Sequence, residues 1–383
     1  MYESSTIEIS RNALQNNLRF IRKRLNQGVR LCSVVKGNAY GHGLLEFVGL
    51  AMECGVDYFG VHAADEAYLL KNNLKTCPDI FIMGAVEGEA VKWAILEGVE
   101  FSVFDFDRLE LAVLYGKELN MKAKIHIELE TGMRRTGFAE NEIDEVCRIL
   151  DLNKEHLLLQ GVFTHFAGAE SQANQFRISA QILSFEAGYQ KITNLGFQPV
   201  YKHSACSAAL LNYPETQGNM VRVGILQYGF WPNKETHLRY TIDKNTNPEL
   251  LKRIISWKTK VMSIKEVRKG SFIGYGTAYL AQKNMKIAIV PVGYSHGYSR
   301  SLSNVSNVLI RGKNAPVIGT VNVNSLTIDV SHMDEIVKGD EVVLIGKQKD
   351  KAITVKSFSE QTQVMNYELL SRLPINIPRV VVP

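Results

Sequence analysis

A few residue types in this chain stand where chemistry could be done. Lys36 closes the apolar run Val34-Val35 and is followed by Gly37, Asn38, Tyr40, Gly41, His42 and Gly43. A lysine at a strand end is a candidate amine nucleophile, and small residues behind it let a ligand approach the backbone. A second group reads His126-Ile127-Glu128-Leu129-Glu130. A period of two places His126, Glu128 and Glu130 on one face. Thr131-Gly132-Met133-Arg134-Arg135 follows and offers a guanidinium to an anion. Thr164-His165, then His203, Ser204 and Ser207, and finally Arg222 with Gly224-Ile225 complete the set. Each has a structural alternative. A strand-end lysine can be a solvated charge, His165 a hydrogen-bonded core histidine, and Arg222 the partner of Glu128 or Glu130 in a buried ion pair.

Groups this far apart in sequence act together only if the fold gathers them. Eight short β-branched runs, at 29–35, 57–61, 80–83, 101–104, 124–130, 160–166, 200–204 and 220–226, alternate with stretches of helical spacing. The latter lie at 43–53, 66–72, 89–96, 108–119, 142–150 and 174–195. This repetition predicts an α/β fold beginning with a parallel (β/α)8 TIM-like barrel, not an open doubly wound sheet, whose Gly-rich phosphate turn is not found. Barrel chemistry collects at the carboxyl ends of the strands, and the residues above end five of the eight runs. Farther along, the pattern becomes mostly β, at 254–264, 286–291, 307–311, 317–330 and 341–345, with helical spacing only at 354–361 and 365–372. The expected division is a barrel over 1–240 and a mostly-β domain over 241–383, joined through the polar stretch 232–248.

Composition narrows the class without naming it. The 383 residues are 45% hydrophobic and 22% charged, ordinary for a globular chain. No apolar run reaches the roughly 18 residues of a membrane span, and the first ten residues lack a secretory signature. The net charge of +5 is spread along the chain, and Ile21-Arg22-Lys23-Arg24 is too short a basic cluster for a nucleic-acid footprint. Five scattered cysteines without a C-x-x-C pair read as reduced thiols of a cytoplasmic protein, with no metal site.

Residues 34–43, Val-Val-Lys-Gly-Asn-Ala-Tyr-Gly-His-Gly, closely resemble the lysine motif of the alanine racemase family, barrel-type amino-acid racemases that use pyridoxal 5'-phosphate. The stretches 131–138, 164–167, 203–207, 222–225 and 274–277 are similar to family motifs in the same order, as are Gly293-Tyr294 with Gly297-Tyr298 and Tyr367-Glu368 with Pro378-Arg379. The resemblance covers essentially the whole chain. It implies a barrel followed by a β domain, a head-to-tail homodimer with shared sites, and interconversion of L- and D-alanine. It also implies that Lys36 anchors the cofactor and that Tyr40, Ser207, Gly224, Ile225 and Tyr367 hold its phosphate. His165 would lie against the ring and Arg222 would face the ring nitrogen. Lys36 and Tyr275 of the partner subunit would exchange protons on opposite faces of the substrate, and Arg135 would contact its carboxylate. A guanidinium at the ring nitrogen cannot act as the proton donor that an acid would be, which favours simple proton exchange over wider side reactions.

Some positions depart from the family pattern. Val323 and Asn324 replace a Met-Asp pair that borders the substrate, which opens the reading to serine or a longer or basic amino acid. Glu128 stands where many members carry a carbamylated lysine, with Glu130 in place of the following acid, so Glu128 is expected to supply the negative charge near Arg135. His296 stands where an acid is usual. Two rivals are weaker. Residues 293–297 formally match a G-x-S-x-G nucleophile elbow, but a turn-like stretch follows instead of a helix. Barrel-type decarboxylases share the cofactor, yet they resemble this chain less and place an acid where Arg222 stands.

Overall fold

A computed structural model describes residues 3–244, 250–362 and 366–383. Contacts divide the chain into two units. One comprises Asn12–Lys36 and Val48–Arg253; the other comprises Met1–Arg11, Gly37–Phe47 and Ile254–Pro383. The division is not a single cut in the chain, because the first strand and the segment behind Lys36 group with the C-terminal strands.

The N-terminal strand is β1 (Ser5–Ser10), and the barrel is built by the next eight. These are β2 (Arg30–Val34), β3 (Tyr58–Ala63), β4 (Asp79–Ala85), β5 (Glu100–Val103), β6 (Ala123–Glu128), β7 (Leu157–Phe163), β8 (Tyr201–His203) and β9 (Met220–Val223). They lie in the order β8-β7-β6-β5-β4-β3-β2-β9, with every pairing parallel. The ring nearly closes between β8 and β9, where Cys206 bridges Arg222 and the Asn219 amide donates to the Lys202 carbonyl at 3.1 Å. Strands β5 and β9 are buried at every residue, as expected when helices cover one face and the barrel core the other. The intervening helices follow from local chemistry. Phe106–Leu119 starts where the Asp105 side chain accepts from the Arg108 amide and stops at Asn120, which takes the left-handed conformation at φ 50°. Ile143–Leu152 buries Ile143, Val146, Cys147 and Leu150, one stripe at helical spacing. Cys32, Tyr58, Phe81, Phe163 and Met220 pack together as one buried cluster of this unit.

The second unit is built on β10 (Ile255–Lys260), β11 (Ser263–Val267), β12 (Met285–Val290), β13 (Asn307–Ile310), β14 (Lys313–Ile318), β15 (Leu326–Asp329), β16 (Glu341–Gln348), β17 (Lys351–Ile353) and β18 (Arg379–Val382). Its sheet runs β11-β12-β15-β14-β13-β16-β10-β1-β18, with β17 on β16. Only β1 and β18 pair in parallel. Here burial alternates, with Ile255, Trp257 and Thr259 of β10 and Leu326 and Ile328 of β15 buried between more exposed neighbours, so one face packs inward. Two runs read as single strands are each broken in two. The run 254–264 changes direction between Lys260 and Ser263, and 317–330 is interrupted by the loop 319–325. The alternation of Ile7 and Ile9 in β1 was too short to read as a strand. The polar stretch 232–248, expected to join the two domains, is helical over Lys234–Lys244, and 245–248 lie outside the described residues, as does Met365 at the head of the last expected helix. All five cysteines are free thiols. Among the described residues no helix is long and apolar enough to cross a membrane.

Candidate active site

Lys36 follows β2 and Val35 at the carboxyl end of the barrel, accessible to solvent yet crowded by protein around the mouth. That desolvation lowers its pKa, and the positive charges of Arg135 and Arg222 lower it further, against Glu66. A lysine acidified this way spends more of its time as the free amine, the nucleophilic and basic form. His165 ends β7 after Thr164 and is pushed down to about 3 by burial, then by Arg222, Arg135 and Lys36. It is a neutral ring at any physiological pH. Lys36, Arg135, His165 and Arg222 thus influence one another's charge, and all follow or end strands of the same barrel.

Arg222 is buried and does not form the ion pair with Glu128 or Glu130 that its sequence context allowed. Its Nη1 donates to the carbonyl and Nδ1 of His203, each at 2.6 Å, and its Nη2 to the carbonyl of Thr164 at 2.7 Å. The Ser207 hydroxyl accepts from the Gly224 amide at 3.0 Å, joining two of the expected phosphate-binding residues. Ile225 beside them is buried.

The acidic pair on β6 divides its work. Glu128 is buried and accepts from Thr136 Oγ1 at 2.8 Å, and burial raises its pKa against the pull of Thr136 and Arg135. It makes no ion pair with Arg135. Glu130 lies beyond the strand end, where its carboxylate accepts from the amides of Gly132 and Arg134, the latter at 2.7 Å. That carboxylate folds the 131–135 loop and so sets where exposed Arg135 sits. Sequence reading gave Glu130 only a place on the strand face; the signal it missed is an acid two and four residues before amides in a Gly-containing turn.

In the other unit, Gly37, Asn38, Ala39, Tyr40 and Gly41 all have positive φ, between 51° and 82°. The left-handed turn is held by its own bonds. The Gly41 amide donates to the Gly37 carbonyl at 3.0 Å, the Leu44 amide to Asn38 Oδ1 at 2.8 Å, and His42 Nδ1 bonds the carbonyls of Ala39 and Tyr40 at 2.9 and 3.0 Å. Gly41 packs so closely on the Leu370 carbonyl that a Cβ there would lie 1.8 Å from its oxygen. Leu370 shares the short helix Asn366–Ser371 with Tyr367, whose ring meets that of Tyr40 edge to face at 6.3 Å.

The same unit presents Tyr275 between Gly274 and Gly276, both at positive φ, and 74% exposed. Beside it runs a groove of about 480 Å³ lined by Tyr294, Arg300, Val323 and Asn324 among others. The loop carrying Val323 and Asn324 is fastened to the 293–297 turn: the Tyr294 amide donates to the Asn322 carbonyl at 2.9 Å and Ser295 Oγ to the Val323 carbonyl at 2.8 Å. A hydroxyl so engaged, with His296 Nδ1 accepting from the Gly293 amide at 3.3 Å, serves the turn and is no hydrolase nucleophile.

Comparison with known proteins identifies the family. Residues 9–232 match the family "Alanine racemase, N-terminal domain" and residues 254–381 match "Alanine racemase, C-terminal domain". The chain is 33% identical over 379 residues to an alanine racemase of Leptospira interrogans, covering 99% of this chain and 96% of that one. It is 32% identical over 375 residues to one from Methanococcus maripaludis, covering 97% of each. Among solved structures, an alanine racemase of Clostridium difficile 630 superposes with a TM-score of 0.91 at 29% identity, over 100% of this chain and 96% of that one. One from Bacillus anthracis with bound L-Ala-P gives 0.89 at 29%, over the same shares. A match that runs through both domains in one order and over nearly the full length leaves a single assignment: the chain belongs to the alanine racemase family.

Proposed function

We propose that this protein is an isomerase that interconverts L- and D-alanine with pyridoxal 5'-phosphate, by a two-base mechanism shared across a homodimer. The observation that carries the reading is the rim where Lys36, acidified by its surroundings, meets Arg135, His165 and Arg222. The donor set fits the cofactor: a lysine acidified by its surroundings for its carbonyl, the Ser207 hydroxyl with the Gly224 amide and Ile225 for its phosphate, a neutral His165 for its ring and a guanidinium for its ring nitrogen. Tyr40 and Tyr367 complete the phosphate contacts in this reading. Bound there, the cofactor would draw electrons away from the substrate's Cα–H bond and make that proton removable.

The chain's own residues do the rest. Arg135 binds the substrate carboxylate. Lys36 Nζ takes or returns the Cα proton on one face, and the hydroxyl of the partner subunit's Tyr275 does so on the other. Arg222, an obligate donor, keeps its own protons and so does not protonate the ring nitrogen. Tyr275 lies mostly exposed in its loop, as a group completed by a second subunit would.

The test is to incubate the cofactor-loaded protein in deuterated water with separate L-amino acids and follow optical inversion and α-deuterium uptake. Alanine is expected to invert fastest. Serine or a longer amino acid inverting fastest would move the substrate and point to Val323 and Asn324, and no exchange with any amino acid would end the racemase reading.

A further inference from the structure

The barrel interior holds a line of polar side chains that the racemisation steps do not use. From Arg222 Nη1 it runs to His203 Nδ1 at 2.6 Å, from His203 Nε2 to His126 Nδ1 at 2.8 Å, and from His126 Nε2 to Glu100 Oε2 at 2.7 Å. All four side chains are buried, Glu100 being 3% and Arg222 5% exposed. Glu100 accepts also from the Tyr58 hydroxyl and, at its other oxygen, from Gln160 Nε2 at 3.0 Å. The rings are fixed by packing: His203 stacks on Phe163 at 5.0 Å, and His126 lies 4.2 Å from Phe81.

Donor chemistry gives this line one direction. A guanidinium only donates, so His203 Nδ1 must accept, and its proton sits on Nε2. His203 therefore donates to His126 Nδ1, which leaves the His126 proton on Nε2 to be donated to the carboxylate. The line ends there, because an ionised carboxylate only accepts. We propose that Glu100 is a positioning residue for Arg222: its buried negative charge terminates the chain Arg222 to His203 to His126 to Glu100, fixes the tautomer of both histidines, and holds the guanidinium in one orientation.

Two further observations support this. Burial lowers the pKa of both histidines, so they bridge as neutral rings. Burial pushes Glu100 up, but the bonds from His126 and Tyr58 outweigh it and hold it below the usual range. The line thus joins a buried guanidinium to a buried carboxylate through two neutral rings, and each end is hydrogen-bonded where an unpartnered charge would be strongly disfavoured. The chain also decides which donor of Arg222 remains. Nη1 serves His203 twice, and Nη2 serves the carbonyls of Thr164 and, at 3.4 Å, Ser204. Among the described residues only Nε–H has no protein acceptor, so it is the donor left for the ring nitrogen. That last step rests on the cofactor reading above; the chain itself does not.

Two measurements test the proposal. The first is ¹⁵N NMR of histidine-labelled holoenzyme, with His126 and His203 assigned by substitution. Both rings are expected to be neutral and protonated at Nε2 at about pH 7 and above, where even an ordinary histidine is mostly neutral. An Nδ1-protonated or charged form of either ring would overturn the directed chain. The second is Glu100→Gln, read by pH titration of the visible absorption of bound pyridoxal phosphate. A unit charge removed at roughly 15 Å in a medium of effective dielectric near 20 lowers the apparent pKa of that chromophore by roughly 0.8 unit. Other charges face the line: Lys124 and Cys32 near Glu100, and Cys206, Glu128, Arg135 and His165 near Arg222. They are unchanged in Tyr58→Phe, which removes a donor but no charge below pH 9 and should shift the titration by less than a third as much. An unshifted titration in folded Glu100→Gln, or an equal shift in Tyr58→Phe, would overturn the role of the charge. If Glu100→Gln does not fold, the NMR of the unsubstituted protein decides alone. If the unsubstituted protein takes up no pyridoxal phosphate, the cofactor reading fails while the NMR still judges the chain.

Discussion

Gly41 offers a test of how tightly the turn after Lys36 is built. Its φ of 82° is available to alanine only at a cost of about 1 kcal/mol. The contact is worse than the conformation. A Cβ there would lie 1.8 Å from the Leu370 oxygen and 2.6 Å from its carbonyl carbon, and both belong to backbone. No rotamer can relieve it, so the helix Asn366–Ser371 must retreat by more than about 1 Å. The Arg379 guanidinium resists, because it grips the Gly41 carbonyl at 2.9 Å and the Leu373 carbonyl at 3.3 Å. Gly41→Ala is therefore expected to destabilise by about 3–5 kcal/mol, at the severe end for one substitution. Gly37→Ala is the control: its φ is 64° and nothing lies within 4 Å of its Cβ position, so only the conformational cost of about 1 kcal/mol applies. Denaturant unfolding of both variants measures the difference. Since Tyr367 rides on the displaced helix, equilibrium dialysis should also show weaker binding of pyridoxal phosphate by Gly41→Ala. Equal stability of the two variants would refute the argument, because it would mean the backbone contact relaxes without resistance.

Four further outcomes are expected. His42, pushed down to about 4 by burial, and His165, at about 3, stay neutral in the folded protein, while unfolded histidines bind a proton near pH 6.5. The unfolded state thus gains protons first, so the contribution is complete above about pH 6.5 and is lost as pH falls from there toward 4, by about 3 kcal/mol for His42. Unfolding midpoints measured across that window should fall less steeply in His42→Asn, and parallel slopes would count against it. Glu130→Gln leaves one oxygen for two loop amides, so KM for alanine should rise about tenfold with little change in kcat, and an unaltered KM would show that Glu130 does not place Arg135. Lys36→Ala and Tyr275→Phe, each inactive alone, should recover about a quarter of wild-type activity when their subunits are mixed and allowed to exchange, because half the dimers then carry one intact site. Mixtures without activity, though exchange is demonstrated, would remove the partner's tyrosine. Restoring Met and Asp at Val323 and Asn324 together should change the alanine-to-serine ratio of kcat/KM by about tenfold or more, and a constant ratio would clear those positions of any role in specificity.

Much of the fold was legible because its periods are local. Eight apolar runs alternating with helical stripes can be read off the chain, since a strand buried on both faces needs continuous apolar residues. The N-terminal strand was not legible: Ile7 and Ile9 alternate over too few residues, and their partners on β10 and β18 lie about 250 and 370 residues away. The candidate site divides the same way. Lys36, His165, Arg222 and Ser207 stand out by type and by position at strand ends. Glu100 did not, although one charge inside the run Val99-Glu100-Phe101-Ser102-Val103 was a usable sign.

The sequence by itself determined the architecture and offered an amine nucleophile, because a strand-end lysine in a glycine-rich turn and a barrel's strand–helix repeat are properties of neighbours in the chain, and the ordered motifs of the resemblance supplied the class of chemistry. The tertiary structure alone decided what each charge does. Arg222 bonds His203 and not Glu128, and Glu100 answers Arg222 across two imidazoles. Those pairings depend on buried side chains from different strands meeting at bonding distance, and no spacing along one strand encodes who faces whom across the barrel.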